Sequence, residues 1–321
     1  MAALVAAGWL AAGLVLAGGA PVAAWLRRIG AVKSVRAEAP ARHGQKAGTP
    51  TMGGLLIVAS VFVAFLAVAL ALRAARPDLL IGLGVILVFA VLGGVDDAIG
   101  IKRRRNLGLR AREKLFVQIP VSLGLGVYVM RQPDLGAALT IPGAHASLSL
   151  GWAYPVFCVL LVVGMANAVN LTDGLDGLAA GSVALAAGAL VILATHAGAL
   201  SVGVLCATVA GATLGFLWFN AHPAQMFMGD VGSQPLGAAL AVAAILAKME
   251  LVVLVVGGVF VAEALSVILQ VACFRTTGTR LFRMSPVHHH FEMSGWSETQ
   301  TVVRFWVCGA LLAALGVGLG P

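Results

Sequence analysis

The sequence is built around ten apolar runs, each close to the length of a helix that crosses a lipid bilayer. A helix needs about 20 apolar residues to span the hydrocarbon core. Because the backbone polar groups of a spanning segment must be satisfied within that segment, helices are expected here rather than open strands. The runs cover residues 3–26, 52–72, 79–95, 115–130, 153–169, 177–195, 199–219, 232–247, 250–273 and 302–320.

Composition supports the same fold class. Of the 321 residues, 60% are hydrophobic and 11% are charged, whereas soluble domains carry about 25% charged residues. So much apolar surface cannot be hidden inside one chain, and we therefore expect a single integral membrane domain over 1–321, all-α and polytopic. The four cysteines stand apart in apolar runs, which predicts neither a zinc site nor a disulfide framework.

Positive charge is concentrated in three loops, at 27–51, 96–114 and 274–301. Cytoplasmic loops of membrane proteins are enriched in Lys and Arg, so these loops are predicted to face the cytoplasm and both termini the other side. The net charge of +8 thus indicates membrane topology and anionic partners rather than nucleic acid. Most Asp, Asn and His residues outside the runs lie in loops on this same predicted side of the membrane, which is typical of an enzyme with a cytoplasmic substrate.

Three acidic motifs could bind a divalent cation. Asp96 and Asp97 lie at the inner end of the third run, where the helix dipole disfavours anions and the two carboxylates repel each other. Asp230 stands in Gly-Asp-Val-Gly-Ser, which opens the eighth run and offers a carboxylate to a metal and N–H groups to a phosphate. Residues 167–177, Asn-Ala-Val-Asn-Leu-Thr-Asp-Gly-Leu-Asp-Gly, hold more Asn and Asp than a turn and a cap require. Together these motifs favour a Mg²⁺ site or a general base over solvated helix ends.

Two further motifs offer groups for phosphates. Consecutive histidines, His288, His289 and His290, point in different directions, so they do not form a tetrahedral zinc site alone, but imidazoles can contact phosphates. Residues 46–54, Lys-Ala-Gly-Thr-Pro-Thr-Met-Gly-Gly, form a cationic, glycine-rich approach to the membrane. The sequence contains neither GxxxxGK[ST] nor GxGxxG, so an ATPase or a dinucleotide enzyme is not supported.

In their order and position these motifs resemble those of the polyprenyl-phosphate N-acetylhexosamine-1-phosphate transferases. Gly-Thr-Pro-Thr-Met-Gly-Gly and Pro-Val-His-His-His-Phe-Glu are similar to the phospho-N-acetylmuramoyl-pentapeptide transferase branch. The resemblance implies ten transmembrane helices, a cytoplasm-facing cleft in a bacterial cell membrane, and a family that commonly forms homodimers. It also implies Mg²⁺-dependent transfer of phospho-MurNAc-pentapeptide from UDP-MurNAc-pentapeptide to undecaprenyl phosphate, giving lipid I and UMP for peptidoglycan.

The resemblance implies roles for individual residues as well. Asp230 would be a direct Mg²⁺ ligand, with Asp97 beside the metal. Asp96, the first choice of the adjacent pair, would act as a base on the lipid phosphate, and His288 would contact phosphates or assist catalysis. The residues that would bind substrate are Lys46, Thr51, Lys114, Asn170, Asp173, Asp176, Asn220, Phe227, His289 and His290.

The chain departs from the family pattern at two places. Glu38-Ala39-Pro40 stands where the family often has Asp-Gly-Pro, and Gln234-Pro235 follows Gly-Asp-Val-Gly-Ser where the family usually has Leu-Ala. Neither departure removes a candidate catalytic group.

Other activities stay open as alternatives. A sister transferase would use UDP-GlcNAc, but the three consecutive histidines argue against that branch. A transporter or flippase would line a path through the membrane with polar residues, whereas here these residues gather at one end. A non-catalytic scaffold would leave the carboxylate motifs unexplained.

Overall fold

Helices account for most of the computed structural model, which describes residues 1–32, 48–72, 77–103, 108–144 and 146–320. Within these ranges a short antiparallel sheet, β1 (Ala138–Thr140) and β2 (Ser147–Ser149), precedes a single 3-10 turn, Gly151–Ala153. The α-helices are α1 (Ala2–Arg28), α2 (Gly54–Ala71), α3 (Pro77–Arg103), α4 (Ala111–Met130), α5 (Tyr154–Thr172), α6 (Leu178–His196), α7 (Leu200–Asn220), α8 (Asp230–Leu246), α9 (Val252–Val256), α10 (Gly258–Thr277), α11 (Val287–Met293) and α12 (Glu298–Gly318).

Nine helices in the described ranges are long and apolar enough to cross a membrane, which confirms a polytopic all-α membrane protein. They are α1 to α7, α10 and α12, and they match nine of the ten predicted runs. The other run, predicted at 232–247, is α8. Its 17 residues extend only about 25 Å at 1.5 Å per residue, which is less than the roughly 30 Å of hydrocarbon.

The central position of α8 explains its length. Every residue from Val231 to Leu246 is buried, and the helix packs against α2, α3, α5, α6 and α7. Protein rather than lipid therefore surrounds α8, and a helix in that position does not have to match the thickness of the bilayer. Its first residue, Asp230, projects from the N-terminal end, where the helix dipole favours an acidic side chain.

The run predicted at 250–273 is interrupted at Gly257. This residue separates α9 from α10 and has φ −91° and ψ 20°, outside the helical range. Glycine's backbone freedom makes it a suitable residue for such a break. Beyond it, Glu263 and Ser266 are buried and Gln270 is half-buried. This confirms the prediction that the polar side of this run faces protein or water rather than lipid.

Small residues bring α1 and α7 together. Gly8 and Ala12 of α1 lie against Gly211 and Gly215 of α7, and a Cβ on Gly211 would collide with the carbonyl oxygen of Gly8. Small residues four positions apart are a common way for membrane helices to approach closely. The residue numbers rise together along this contact, so the two helices run in the same direction.

Both chain termini lie at the end of the bundle opposite Asp230. The start of α1 packs beside the start of α7, since Leu4 covers Gly203, while α7 ends next to the segment that precedes α8. The C-terminus is tied to the β1–β2 connection, where the Gly143 amide donates to the carbonyl of Leu319 at 2.9 Å. The two termini therefore share one side of the protein, as the distribution of charge predicts.

Candidate active site

Three aspartates from two helices converge at one end of the bundle. Asp96 and Asp97 lie near the C-terminal end of α3, and Asp230 begins α8. One carboxylate oxygen from each lies within 4.8 Å of the other two. Carboxylate oxygens are ligands for hard divalent cations, so these acidic groups could hold a metal ion.

Glycines allow α3 and α8 to meet this closely. A Cβ on Gly93 would collide with the carbonyl oxygen of Asp230, and a Cβ on Gly229 would lie 2.6 Å from Asp97 Oδ2. Gly229 also has φ +75°, a conformation that favours glycine. The approach brings the Val231 amide to Asp97 Oδ2, to which it donates at 3.0 Å.

Lys114 of α4 supplies positive charge to the three aspartates. Its Nζ lies 2.7 Å from Asp230 Oδ2 and 3.2 Å from Asp96 Oδ1. The side chains are only 18%, 22% and 11% exposed, respectively, so solvent screens these pairs less than pairs on an open surface. The ammonium group therefore offsets part of the repulsion among the carboxylates.

Uncharged donors hold the same carboxylates. The Leu109 amide donates to Asp96 Oδ1 at 2.6 Å, while the side-chain amide of Asn170 donates to Ser233 Oγ in the first turn of α8 at 3.1 Å. Gln234, one turn into α8, also donates to Asp230 Oδ2 at 2.8 Å. The predicted residues Asp96, Asp230 and Lys114 are therefore directly connected, and the predicted Asn170 contacts the first turn of the helix that Asp230 begins.

The loop before α2 pairs with the segment before α8. The Phe227 amide donates to the carbonyl of Pro50 at 2.8 Å, and the Gly53 amide donates to the carbonyl of Phe227 at 2.9 Å. Thr51 is buried and Phe227 is half-buried. Two of the sequence motifs are thus brought together next to Asp230, whereas the predicted Lys46 lies outside the described residues.

A second polar group surrounds the turn between α5 and α6. His222 Nδ1 lies 3.0 Å from Asp176 Oδ2 and 3.6 Å from Glu298 Oε2. These three side chains also offer ligand atoms within 4.8 Å of one another. Asn220 accepts a hydrogen bond from the Gly177 amide at 3.1 Å, so the predicted residues Asp176 and Asn220 both hold this turn. Asp173 is half-buried at its start.

His288 is buried beneath the same turn. Its Nδ1 lies 3.1 Å from Glu263 Oε2, and both side chains are fully buried. Gly174 packs directly against the ring, since a Cβ there would collide with His288 Nε2. In this structure His288 therefore contacts the turn that carries Asp173 and Asp176.

The other two histidines make separate contacts. His289 Nδ1 lies 2.8 Å from Glu292 Oε2, and His290 Nδ1 accepts a hydrogen bond from the Arg283 amide at 3.1 Å. Consecutive residues on α11 point in different directions, and each imidazole has its own partners. The rings of His288 and His289 also contact each other, with their centroids 4.1 Å apart.

Sequence reasoning did not assign several residues that contact the predicted ones. Gln234 appeared only as a departure from a family pattern, and Glu263 only as part of a polar helix side. For Gln234 and Glu263 a signal was available, because a polar side chain inside an apolar run usually faces protein and takes part in function or packing. The unassigned residues are His222, Gln234, Glu263 and Glu298.

The fold and the site define a polytopic membrane glycosyl transferase with an acidic site at one end of its helix bundle. Residues 79–248, which include most of α3 and all of α8 with the three aspartates, match the family model of Glycosyl transferase family 4. Residues 46–58 match Phospho-N-acetylmuramoyl-pentapeptide-transferase signature 1.

Curated relatives narrow the class to one family. The phospho-N-acetylmuramoyl-pentapeptide-transferase of Geobacillus thermodenitrificans is 49% identical over 293 residues, covering 91% of this chain and 90% of the relative. Proteins of the same name from Shouchella clausii and Bacillus subtilis are each 47% identical, covering 92% and 91% of this chain and 91% and 90% of the relatives. The chain belongs to the phospho-N-acetylmuramoyl-pentapeptide-transferase family.

Proposed function

We propose that this protein transfers phospho-MurNAc-pentapeptide from UDP-MurNAc-pentapeptide to undecaprenyl phosphate. The products are UMP and lipid I, the lipid-linked precursor of peptidoglycan. The name and extent of the curated relatives support this activity. The observation that carries it is the convergence of Asp96, Asp97, Asp230 and Lys114, which combines cation ligands with a phosphate-binding ammonium group.

Mg²⁺ is the metal that this set of ligands fits. It is usually held by one or two carboxylates together with substrate phosphates, and the three aspartates provide hard oxygen atoms within 4.8 Å. We assign Asp230 and Asp97 as the residues that would hold the ion. Bound there, Mg²⁺ would offset the negative charge of the donor diphosphate and polarise its phosphoryl oxygens.

Asp96 is assigned as the base for the acceptor. It would take the proton of the lipid phosphate, whose oxygen then attacks the β-phosphorus of the UDP-sugar. A new P–O bond forms at that phosphorus while the bond to the UMP oxygen breaks, so UMP leaves with the bonding electrons. Lys114, now paired with two carboxylates, would turn its ammonium group toward the phosphates during this step.

The surrounding residues are assigned to substrate binding. Asn170 contacts Ser233 in the first turn of α8, and Thr51 and Phe227 lie in the paired segments that precede α2 and α8. We assign His288 to phosphate contact, which requires that the turn above it opens, because Gly174 covers its ring. The nucleotide pocket would include Asn170, Asp173, Asp176, Asn220 and Phe227, and Lys46, His289 and His290 would bind other parts of the substrates.

We further propose that the site faces the cytoplasm, where the nucleotide donor is made. The loops rich in Lys and Arg adjoin the helix ends that carry Asp96 and Asp230, and such loops favour the cytoplasmic side. The protein would act as one membrane domain, and a homodimer is the oligomer that its family suggests.

Release of UMP tests the activity directly. The purified full-length chain would be given UDP-MurNAc-pentapeptide with undecaprenyl phosphate and Mg²⁺, and each component would be omitted in turn. We expect UMP only when all three are present. Release of UMP from UDP-GlcNAc, but not from the muramoyl donor, would instead identify the sister transferase.

Labelling of an introduced cysteine tests the orientation. Leu148, in β2, and Leu281, after α10, are both exposed and lie at opposite ends of the bundle. In intact cells a membrane-impermeant maleimide should label Leu148→Cys, whereas Leu281→Cys should react only after permeabilisation. The parent protein measures background from its own cysteines, and the reverse pattern would place the site outside.

A further inference from the structure

We propose that Gln234 is a positioning residue for Asp230, acting at the end of a chain of three side-chain amides of which two are buried. The proposal rests on the proposed function, in which Asp230 binds the metal. The sequence motifs predict no role for Gln234, whereas its contacts in the folded protein indicate one.

The chain of amides joins three helices. Asn167 of α5 donates to Gln118 Oε1 at 3.2 Å, and Gln118 of α4 donates to Gln234 Oε1 at 3.1 Å. Gln234 of α8 then donates to Asp230 Oδ2 at 2.8 Å. Gln118 and Gln234 are 0% and 1% exposed, so water cannot readily replace these hydrogen bonds.

The orientation of each amide in this chain is fixed at Asn167, the member farthest from Asp230. Asn167 also donates to the carbonyl of Val163 at 2.8 Å, and a carbonyl oxygen can only accept. Each following amide must therefore present its oxygen to the previous donor and its NH₂ group to the next acceptor. Turning Gln234 around would place its oxygen against the carboxylate and leave buried groups unpaired, which is costly.

Gln234 differs from the other donor to the same oxygen. Lys114 also contacts Asp230 Oδ2, at 2.7 Å, but it is charged and more exposed than Gln234. A cation on Asp230 would repel Lys114, and substrate phosphates would attract it. Gln234 is neutral, and its own side chain is fixed by the hydrogen bond from Gln118. It therefore keeps the carboxylate in place when the cation binds and when the phosphates bind. Fixed outer donors of this kind orient the ligands that bind metals.

Metal binding and activity test the proposal together. Mn²⁺ binding to the full chain in detergent would be measured by electron paramagnetic resonance, without substrates, alongside the Mg²⁺ concentration for half-maximal UMP release. Gln234→Met keeps the side-chain volume and removes the hydrogen bonds. We expect it to weaken Mn²⁺ binding about 10–100-fold and to raise the Mg²⁺ requirement in the same direction.

Gln118, the middle residue of the chain of amides, gives a sharper test. Gln118→Met should weaken Mn²⁺ binding less, by about 2–10-fold, because Gln234 keeps its bond to Asp230. The double variant should bind Mn²⁺ no more weakly than Gln234→Met alone, since Gln118 acts only through Gln234. Additive losses would overturn the proposal. If Gln234→Met fails to fold, Gln118→Met carries the test, and unchanged Mn²⁺ affinity in that variant would refute the chain.

Two control variants distinguish a failure of the proposed function from a failure of the positioning role alone. Tyr154→Phe removes two hydrogen bonds at the opposite end of the bundle, where the hydroxyl donates to Glu250 at 2.6 Å and accepts from Lys248 at 3.2 Å. It should leave Mn²⁺ affinity unchanged. Asp230→Asn should abolish Mn²⁺ binding and lower turnover by about 10²–10³-fold. If Asp230→Asn keeps both, the proposed function is wrong. If it loses both while Gln234→Met matches the parent protein, only the positioning role is wrong.

Discussion

Replacing Gly93 with alanine tests the close approach of α3 and α8 on which the site depends. The new Cβ would lie 2.7 Å from the Val231 nitrogen and nearer still to the carbonyl oxygen of Asp230, whereas ordinary contact begins at 3.4 Å. Both obstacles are backbone atoms and cannot rotate away. The two helices would therefore have to separate by at least about 0.7 Å, the difference between these distances.

This separation should affect activity more than stability. Overpacking costs about 1–3 kcal/mol, but alanine regains about 1 kcal/mol in helix propensity, so the net loss of stability is about 0–2 kcal/mol. Asp230, however, would move relative to Asp96 and Asp97. A misplacement of about 1 Å can lower the rate roughly 10²-fold.

UMP release and thermal unfolding in detergent would be measured on Gly93→Ala and on Gly84→Ala. Gly84 lies on the same helix and is exposed, and a Cβ added there would meet no atom within 4 Å. We expect Gly84→Ala to keep its activity and its melting temperature, or to raise the latter slightly. Parent-like turnover in Gly93→Ala would show that the spacing of α3 and α8 does not set the geometry of the site.

Further substitutions separate the roles of neighbouring groups. Asp230→Asn should lower UMP release by about 10²–10³-fold with little change in melting temperature, and normal turnover at saturating Mg²⁺ would exclude a metal ligand. Lys114→Met should reduce turnover and destabilise the protein in EDTA by about 1–3 kcal/mol. Mg²⁺ should recover part of that stability by replacing the lost positive charge, and equal losses in EDTA and Mg²⁺ would contradict this. Tyr154→Phe should lower the melting temperature without changing the kcat or KM for UMP release, and an altered KM would connect the far end of the bundle to the site.

The spans and the residue types of the site could be predicted from the sequence. Hydropathy is a property of contiguous residues, so nine of the ten apolar runs correspond to long helices. The clustering of Asp, Asn and His in a few loops likewise depends only on their order along the chain. The resemblance to a transferase family could be drawn from the same motifs, and the relatives confirm the family.

The connections among those residues depended on tertiary structure. Lys114 and Gln234 both contact Asp230, yet Lys114 comes from another helix 116 positions away. The short length of α8 also follows from its contacts with neighbouring helices. A pattern along one helix predicts that the helix has a polar side or a side of small residues. The rotation and spacing of the helices, however, arise from the packing of all of them. That rotation and spacing decide which side chains meet.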